Sequence, residues 1–347
     1  MRPDAGAPRI LIAQTGFLGD VVLTTPLVAA LRRWAPHAAL TMLVTPAAAP
    51  LVAAHPGLDH VLVDDKRGGA RGPAGLARLA RRLRAGRFTL ALAAHKSLRT
   101  ALALVAAGVP RRIGFVGAPG APLYSERVVR PAALHDRDRL LELLRPLGAL
   151  AEAEAARRPW VALDAATRAR ADALLAPVRV GGAPLAGLCP GSTWPTKRWP
   201  VHAYGALVRR LEAQGWRCVL LGAPDERAIT AAVRGAAGDR GLDLAGATDV
   251  AGLAAILARM DVVVTNDSAP MHLAGALDVP QVAVFCATVP AQGYGPLGRR
   301  AVVVEKDLAC RPCGRHGGRR CPRGTDDCRE LVEVGAVAAA IERARAA

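Results

Sequence analysis

The sequence of 347 residues has few aromatic side chains, few lysines and no long apolar run. Aromatic residues make up 3% of it, which argues against the stacking platforms that bind single-stranded nucleic acid. No uninterrupted apolar segment reaches the ~18–20 residues needed to span a bilayer. The N-terminus has an acid and prolines before a short apolar strand, which makes a poor signal peptide. These absences predict a cytoplasmic protein.

Positive charge is in excess, with a formal net charge of +17, and arginine supplies most of it. The only lysines are Lys66, Lys96, Lys197 and Lys306. A positive field attracts polyanions, and the candidate partners are nucleic acid, anionic lipid headgroups and phosphorylated sugars. The alternative is a solvated basic surface without a specific partner.

Short apolar runs alternate with amphipathic segments along the chain, which predicts an α/β protein with parallel sheets covered by helices. The chain is long enough for two such domains with full cores. We expect doubly wound domains at 1–170 and 171–347, with a linker somewhere between 150 and 184 and a last helix that packs back on the first domain. Strands are predicted within 10–13, 39–44, 61–63, 90–93, 157–163, 185–188, 218–221, 262–264, 282–285 and 301–304.

The segment from Ile10 to Pro26, ILIAQTGFLGDVVLTTP, has the pattern of a strand, a glycine loop and a helix start. Such a segment is the usual entry to a ligand-binding α/β domain. It lacks the third glycine of a dinucleotide-binding fingerprint and the lysine of a P-loop. Asp20 stands at the end of the loop. Two functions are open for it, a general base or a helix cap.

Cations follow another predicted strand of the first domain. The polar residues after 90–93 are His95, Lys96, Ser97 and Arg99, and we expect them at the same edge as Asp20. Arg111 and Arg112 precede a further strand edge. A cluster of cations around one carboxylate suits an acidic acceptor molecule. The expected acceptor-binding residues are Gly19, Lys96, Arg99 and Arg112.

Three segments of the second half follow predicted strands and carry polar side chains. CPGSTWPTKRWP offers the hydroxyls of Ser192 and Thr193 and the compact charge of Lys197, which suits a phosphate oxygen. VVVTNDSAPMHLAGA predicts a helix capped within 266–268, whose first turn and His272 reach an anion. GAPDE places a carboxylate where ribose hydroxyls can donate to it. The alternatives are a surface loop and ordinary helix caps.

The seven cysteines form two groups. Three lie in apolar contexts and are expected to be buried thiols, namely Cys189, Cys218 and Cys286. Four are spaced much as in a small zinc site, namely Cys310, Cys313, Cys321 and Cys328. Either a structural zinc or unliganded thiols in a surface loop fits this spacing, and no catalytic metal is expected.

Taken in order, GFLGD, PGSTWPTKRWP, GAPDE and NDSAPMH resemble glycosyltransferase family 9, the ADP-heptose:lipopolysaccharide heptosyltransferases. The resemblance covers nearly the whole chain, and CRPC…CP…C is similar to the tail of heptosyltransferase II-like members. It implies a GT-B fold, in which two Rossmann-like domains face a central cleft. The N-terminal domain then holds the acceptor and the C-terminal domain holds the nucleotide sugar.

The resemblance also implies roles for individual residues. Asp20 matches the catalytic base, and Lys197 matches a group that grips the diphosphate and stabilises the leaving ADP. The implied donor-binding residues are Ser192, Thr193, Lys197, Glu226, Thr248, Asp267, Ser268, Ala269 and His272. Ala269 departs from the glycine of many members, and 94–97 matches no family pattern.

The expected function is an inverting, metal-independent transfer of heptose from ADP-heptose to an inner-core lipopolysaccharide or related glycan. The expected partners are this donor, an anionic glycolipid acceptor and the cytoplasmic face of the inner membrane, without nucleic acid. We expect a monomer that requires no cofactor. The alternatives are another nucleotide sugar or acceptor on the same fold, or a non-catalytic protein that binds nucleotide sugars or anions.

Overall fold

The computed structural model describes residues 7–179 and 181–347. It divides the chain into two units, Met1–Ala162 and Leu163–Ala347. Residues 1–6, on which the signal-peptide expectation partly rests, and residue 180 in the expected linker region lie outside the described residues.

The first unit is built on a six-stranded sheet in which every recorded pairing is parallel. Its strands are β1 (Arg9–Ala13), β2 (Ala39–Val44), β3 (His60–Val63), β4 (Leu90–Ala93), β5 (Arg111–Phe115) and β6 (Glu126–Val128). They stand in the order β3-β2-β1-β4-β5-β6. The central strands β1 and β4 are buried almost throughout, because helices cover both faces of a parallel sheet.

Helices connect these strands. They are α1 (Leu18–Trp34), α2 (Ala49–Val52), α3 (Gly72–Ala85), α4 (Leu98–Ala106), α5 (Asp136–Leu141) and α6 (Leu150–Ala155). The first begins at Leu18 and so includes Gly19 and Asp20 of the expected glycine loop, and most of its residues are buried. Helices α3 and α4 share one apolar core with β1 and β4, so their opposite faces point to solvent. His135 caps α5 by accepting the backbone N–H of Arg137.

The second unit repeats this architecture. Its strands are β7 (Leu185–Cys189), β8 (Arg217–Leu220), β9 (Leu242–Asp243), β10 (Val262–Asn266), β11 (Gln281–Phe285) and β12 (Ala301–Glu305). They stand in the order β12-β11-β10-β7-β8-β9, again with parallel pairings. The helices are α7 (Ala165–Leu175), α8 (Val201–Ala213), α9 (Arg227–Ala236), α10 (Val250–Leu257), α11 (Ala269–Leu277), α12 (Asp327–Glu330) and α13 (Val334–Ala346).

Trp199 anchors the loop between β7 and α8 in the core of the second unit. Its ring is 1% exposed and packs edge-on against Tyr204, with ring centroids 4.9 Å apart. The indole N–H donates to the carbonyl oxygen of Val332 at 2.9 Å. A buried tryptophan with a satisfied N–H fixes both its own loop and the segment it contacts.

Along the chain, the boundary between the two units follows Ala162, whereas the sequence analysis placed it after residue 170. The reason is α7, which packs on α10, and whose Asp172 receives two hydrogen bonds of 2.7 Å from Arg259. The helix therefore belongs to the second unit. The glycine- and proline-rich segment expected as the linker forms the loop between α7 and β7.

Residues 157–163 do not form the expected strand. The segment is held by single contacts to helices, since the N–H of Trp160 donates to Thr25 Oγ1 and the N–H of Ala162 donates to the carbonyl of Leu51. Helix α13 packs on α8, β11 and β12 of its own unit, and its expected packing on the first unit stays a prediction. No helix within the described residues is both long and apolar enough to cross a membrane.

Candidate functional site

Each sheet has one point where the strand order reverses. It lies between β1 and β4 in the first unit and between β7 and β10 in the second. The loops that follow these strands diverge at the carboxyl edge and leave a crevice in which α/β proteins bind ligands. GFLGD and AHKS follow the first pair, and PGST and NDS follow the second. The motifs predicted to bind ligands therefore occupy the two positions that the topology favours.

Asn266 joins the two loops of the second unit. It ends β10, is fully buried, and donates its amide hydrogens to the carbonyl oxygens of Pro190 at 2.8 Å and Gly191 at 3.2 Å. Its Oδ1 accepts the backbone N–H of Trp199 at 2.9 Å. The sequence prediction placed this residue only within a helix cap. Asn266 is the only asparagine in the sequence, a signal that could have identified it.

Lys197 and Asp267 form an ion pair at this edge. The ammonium nitrogen lies 2.6 Å from Asp267 Oδ2, and both side chains are largely buried. Thr288, which was not predicted, donates its hydroxyl to the same oxygen at 2.7 Å. A carboxylate can only accept hydrogen bonds, and its negative charge repels an anion. Asp267 therefore does not bind an anion directly but fixes the direction of the Lys197 side chain. An ammonium has three donors, so this pair leaves Lys197 capacity for further acceptors.

Helix α11 points its first turn at the same place. Ser268 is the N-cap residue, and its hydroxyl lies 3.3 Å from Thr265 Oγ1 instead of capping a first-turn N–H. Ala269 opens the helix, and buried His272 stands on its first turn. The positive end of a helix dipole and uncapped N–H groups favour an anion.

The side chain of Arg198 fixes the PGST loop. Arg198 donates through Nε and Nη2 to the carbonyl oxygen of Ser192, at 2.9 and 2.6 Å. Ser192 is buried, whereas Thr193 is exposed at the tip of the loop. The predicted hydroxyls are therefore carried by a rigid turn, one of them accessible to solvent.

Glu226 closes the other side of this loop. Its Oε1 would lie 2.0 Å from a Cβ built on Gly191, so no larger residue fits there without displacing the carboxyl group. Oε2 accepts the N–H of Ala223 at 2.9 Å, and burial raises the pKa of Glu226. Thr248 lies in the next loop, which is tied to the Glu226 loop by the Gly246 N–H bond to the carbonyl of Gly222. The structure thus brings GAPDE and Thr248 to the same edge as PGST.

Asp20 occupies the third position of α1, not the cap itself. Its Oδ2 accepts the N–H of the N-cap residue Phe17 at 3.1 Å, so it also helps to cap the helix. A Cβ on Gly16 would lie 2.7 Å from that oxygen and 3.2 Å from the ring of His95. The absence of a side chain at Gly16 therefore lets the carboxylate and the imidazole come together at one point of the edge.

His95 and Lys66 complete this part of the first unit. His95 was expected at this edge, whereas Lys66 was not predicted there. The ring Nδ1 of His95 lies 3.3 Å from Thr15 Oγ1, and Lys66 Nζ donates to the Thr15 carbonyl at 2.5 Å. Burial, with a smaller effect of Lys66, lowers the pKa of His95 to about 4. The imidazole is therefore neutral at pH 7, and burial also lowers the pKa of Lys66 beside it.

The predicted acceptor residues lie in different places. Gly19 is buried in the first turn of α1, and Lys96 is half-buried in the loop after β4. Arg99 is engaged internally, by two 3.1 Å bonds to buried Asp64 and by bonds to two loop carbonyls. Arg112 is not brought to this edge. It lies near the amino end of β5 and donates to the carbonyls of 109, 110 and 123, because the amino end of a parallel strand lies at the opposite edge.

The four C-terminal cysteines are not arranged as the metal site that their spacing allows. Across residues 7–179 and 181–347, no group of three or more His, Cys, Asp or Glu side chains could hold a metal ion. All seven cysteines are free thiols. Three are buried in the second unit as predicted, and burial raises their pKa well above its ordinary value; they are Cys189, Cys218 and Cys286.

Known proteins share this sequence pattern. The family model described as glycosyltransferase family 9 (heptosyltransferase) matches residues 76–320. Lipopolysaccharide heptosyltransferase 2 of Salmonella typhimurium is 28% identical over 315 residues, which cover 86% of this chain and 88% of that protein.

Solved structures share the fold, which confirms the predicted fold class. A glycosyl transferase of family 9 from Veillonella parvula superposes with a TM-score of 0.84 at 24% identity, covering 96% of this chain and 97% of that one. The E. coli heptosyltransferase WaaC, solved with ADP-2-deoxy-2-fluoro heptose, superposes with a TM-score of 0.68 at 20% identity, covering 96% and 99%.

Replacing the amide that joins the two loops tests the site. We expect Asn266→Ala to lower the free energy of unfolding by about 2–4 kcal/mol, because it leaves two carbonyls and one N–H buried without partners. Binding of a diphosphate such as ADP, measured by calorimetry, should weaken at least tenfold, in line with a loss of ~1.4 kcal/mol.

Gln281→Ala is the matched control. It also removes a fully buried amide, but one at the start of β11, the opposite edge of the sheet. This variant should be destabilised and still bind ADP normally. Wild-type ADP affinity in folded Asn266→Ala would show that the two loops do not depend on this residue.

Proposed function

Because this chain belongs to glycosyltransferase family 9, we propose that it transfers heptose from ADP-heptose to a hydroxyl of an inner-core lipopolysaccharide or related glycan. The observation that carries the proposal is the set of anion-binding groups at the β7/β10 edge, with Lys197 held on Asp267 beside the start of α11. A donor with a diphosphate fits this set. The relatives support the sugar, since one of them is a lipopolysaccharide heptosyltransferase and another was solved with a fluorinated ADP-heptose.

The donor is bound by the second unit in this proposal. Ser192, Thr193 and Lys197 contact the diphosphate, together with the backbone at the start of α11. Glu226 accepts hydrogen bonds from the ribose, and its raised pKa reflects a buried carboxyl group that hydroxyl donors would satisfy. Thr248 lies beside the adenine. Asp267 and Ser268 act on the diphosphate indirectly, by holding Lys197 and shaping the helix start.

The acceptor is bound by the first unit, and Asp20 is its general base. The acceptor oxygen forms a bond to the anomeric carbon as the bond from that carbon to the diphosphate oxygen breaks. The proton of the acceptor hydroxyl passes to Asp20, and the bonding electron pair leaves with ADP. Attack opposite the leaving group inverts the anomeric centre. His95 is neutral at pH 7 and therefore leaves the basicity of Asp20 intact.

The charge that develops on ADP is stabilised by the protein's own cations and dipoles. Lys197 and the first turn of α11 are in place before reaction, and preorganised groups of this kind act strongly in a water-poor site. We propose that they make a metal ion unnecessary. We propose that the acceptor is an anionic glycolipid, which places the protein at the cytoplasmic face of the inner membrane. We further propose that it acts there as a peripheral monomer.

Substitution of Asp20 tests the base. Asp20→Asn keeps an oxygen that can accept the Phe17 N–H but cannot take a proton, so the fold should persist. We expect transfer from ADP-heptose to fall by roughly 10²–10⁴-fold, the usual range for a general base, with unchanged ADP affinity. Asp65→Asn, which alters a carboxylate that also accepts loop N–H bonds, is the control and should retain activity. Full activity in Asp20→Asn would refute the assignment.

Substitution of Lys197 tests the diphosphate site. Lys197→Ala should weaken ADP binding by about 1.5–3 kcal/mol, the value of a charge-assisted bond, as measured by calorimetry. Lys306→Ala removes an exposed lysine of the same unit that pairs with Glu333, and it should bind ADP like the wild type. Equal ADP affinity in the two variants would exclude a phosphate contact by Lys197.

Metal removal tests the proposed independence from metal ions. The transfer rate is measured as the release of ADP. It should be the same before and after dialysis against EDTA, because Lys197 and α11 supply the positive charge. Loss of activity that returns on addition of Mg²⁺ or Zn²⁺ would contradict the proposal.

A further inference from the structure

The positive charge of this chain is concentrated in one part of the first unit. Between Lys66 and Ser125 the sequence has twelve lysines and arginines and no aspartate or glutamate. This segment includes α3, β4, α4 and β5. The excess of +17 is therefore not spread evenly, and α3 alone carries four of these twelve cations.

Helices α3 and α4 lie side by side and run in the same direction. At their starts, Arg99 of α4 donates to the carbonyls of Ala70 and Gly72. At their ends, Arg84 of α3 donates to the carbonyl of Ala106 at 2.6 Å. Both helices bury one face in the same apolar core. Their outer faces therefore form one continuous surface, which we call the α3–α4 face.

The part of this face on α4 is apolar. Leu98, Leu102 and Val105 are 46%, 39% and 42% exposed. Their spacing of four and three residues places them in one row along the helix. Single exposed apolar residues are ordinary, but a row of three large aliphatic side chains on one helix marks an interaction surface.

The part of this face on α3 is cationic. Its exposed arginines are Arg78, Arg81, Arg82 and Arg84. No ion pair with an acidic side chain is recorded for them in the described part of the chain, and their recorded side-chain bonds go to backbone carbonyls. Four charges without acidic neighbours attract an anionic surface.

We propose that the α3–α4 face docks on the surface of an anionic phospholipid bilayer. Leu98, Leu102 and Val105 enter the boundary between headgroups and acyl chains, and the α3 arginines contact lipid phosphates. The inference deepens the proposed function, because it rests on a lipid-linked acceptor. The apolar row begins three residues after His95, so the docked face adjoins the edge that holds Asp20.

Other occupants fit this face less well. A second copy of the chain would bring two arginine rows together, which like-charge repulsion opposes. Nucleic acid would contact the arginines but leave the aliphatic row exposed, since nucleic-acid binding relies on phosphate contacts and aromatic stacking. A bilayer surface matches both halves at once.

The test is partition of the full-length protein onto vesicles, measured by co-sedimentation. Vesicles of phosphatidylcholine with about one third phosphatidylglycerol carry the negative surface potential, and pure phosphatidylcholine vesicles lack it. One variant combines Leu98→Ser, Leu102→Ser and Val105→Ser. The other combines Arg78→Gln, Arg81→Gln and Arg84→Gln.

The whole chain is basic, so binding to anionic vesicles alone would not identify this face. The matched control for the charges combines Arg168→Gln, Arg217→Gln and Arg343→Gln, which are exposed in the second unit. The matched control for the apolar row is Leu331→Ser, which alters a leucine of 49% exposure in the second unit. It is compared with the single change Leu102→Ser.

We expect the wild type to bind the anionic vesicles and not the neutral ones. The α3 arginine variant should bind roughly a hundredfold more weakly, given the contribution of each arginine near a charged surface. The triple serine variant should lose about tenfold or more, and the remaining binding should be removed easily by salt. Both control variants should stay within about twofold of the wild type, as expected for charges and side chains away from the membrane.

Two outcomes would overturn the proposal. Equal losses in the α3 and control arginine variants would show that general basicity causes binding. A serine variant that changes the oligomeric state in size-exclusion chromatography would show that the row joins two copies. ADP affinity and transfer to a delipidated acceptor, measured on the same variants, report on the proposed function separately. If the wild type binds vesicles through the α3–α4 face but does not transfer heptose, only the transferase proposal is refuted.

Discussion

The buried amide of Asn266 is the interaction on which the ligand-binding edge of the second unit depends. In a parallel sheet the loops after neighbouring strands diverge at a switch point, and nothing in the sheet itself holds them together. Asn266 supplies that link with both donors and its acceptor, at the cost of burying a polar group that is favourable only when fully bonded. Asn266 Oδ1 also accepts the N–H of Trp199, two residues after Lys197, and this bond helps to fix the position of the lysine.

Lysine and arginine have different tasks in this molecule. The arginines near the sites are mostly bound to the protein. Arg99 binds Asp64 and the segment at the start of α3, Arg198 binds the PGST loop, and Arg311 donates to the carbonyls of Phe285 and Thr288. Their planar, multiply donating groups suit the fixing of loops. Lys197, a compact charge with three donors, can hold Asp267 and still donate to a ligand. In our proposal, the rare lysine at position 197 is the one that contacts the ligand.

The fold and the order of the donor motifs could be predicted because both follow from strand ends. Alternating apolar and amphipathic segments give parallel sheets, and residues directly after a strand reach the carboxyl edge, as Asp20, Ser192, Glu226 and Asp267 do. The errors have the same origin. Arg112 lies at the amino end of its strand and therefore at the other edge, and 157–163 contains an apolar run but pairs with no strand. Contacts such as Thr288 to Asp267 join residues from strands whose spatial order the sequence does not state.

The distribution of charge explains more than its total. A net charge of +17 suggests many partners, yet the proposed donor edge relies on one lysine, already paired with a carboxylate, and on a helix terminus. Most of the excess lies instead between residues 66 and 125, where acidic side chains are absent from the sequence. Charge placed on an exposed surface acts over a Debye length, whereas a ligand pocket needs a few fixed groups at contact distance. The two kinds of positive charge therefore have separate functions in our proposals, attraction to an anionic surface in the first unit and stabilisation of a leaving diphosphate in the second.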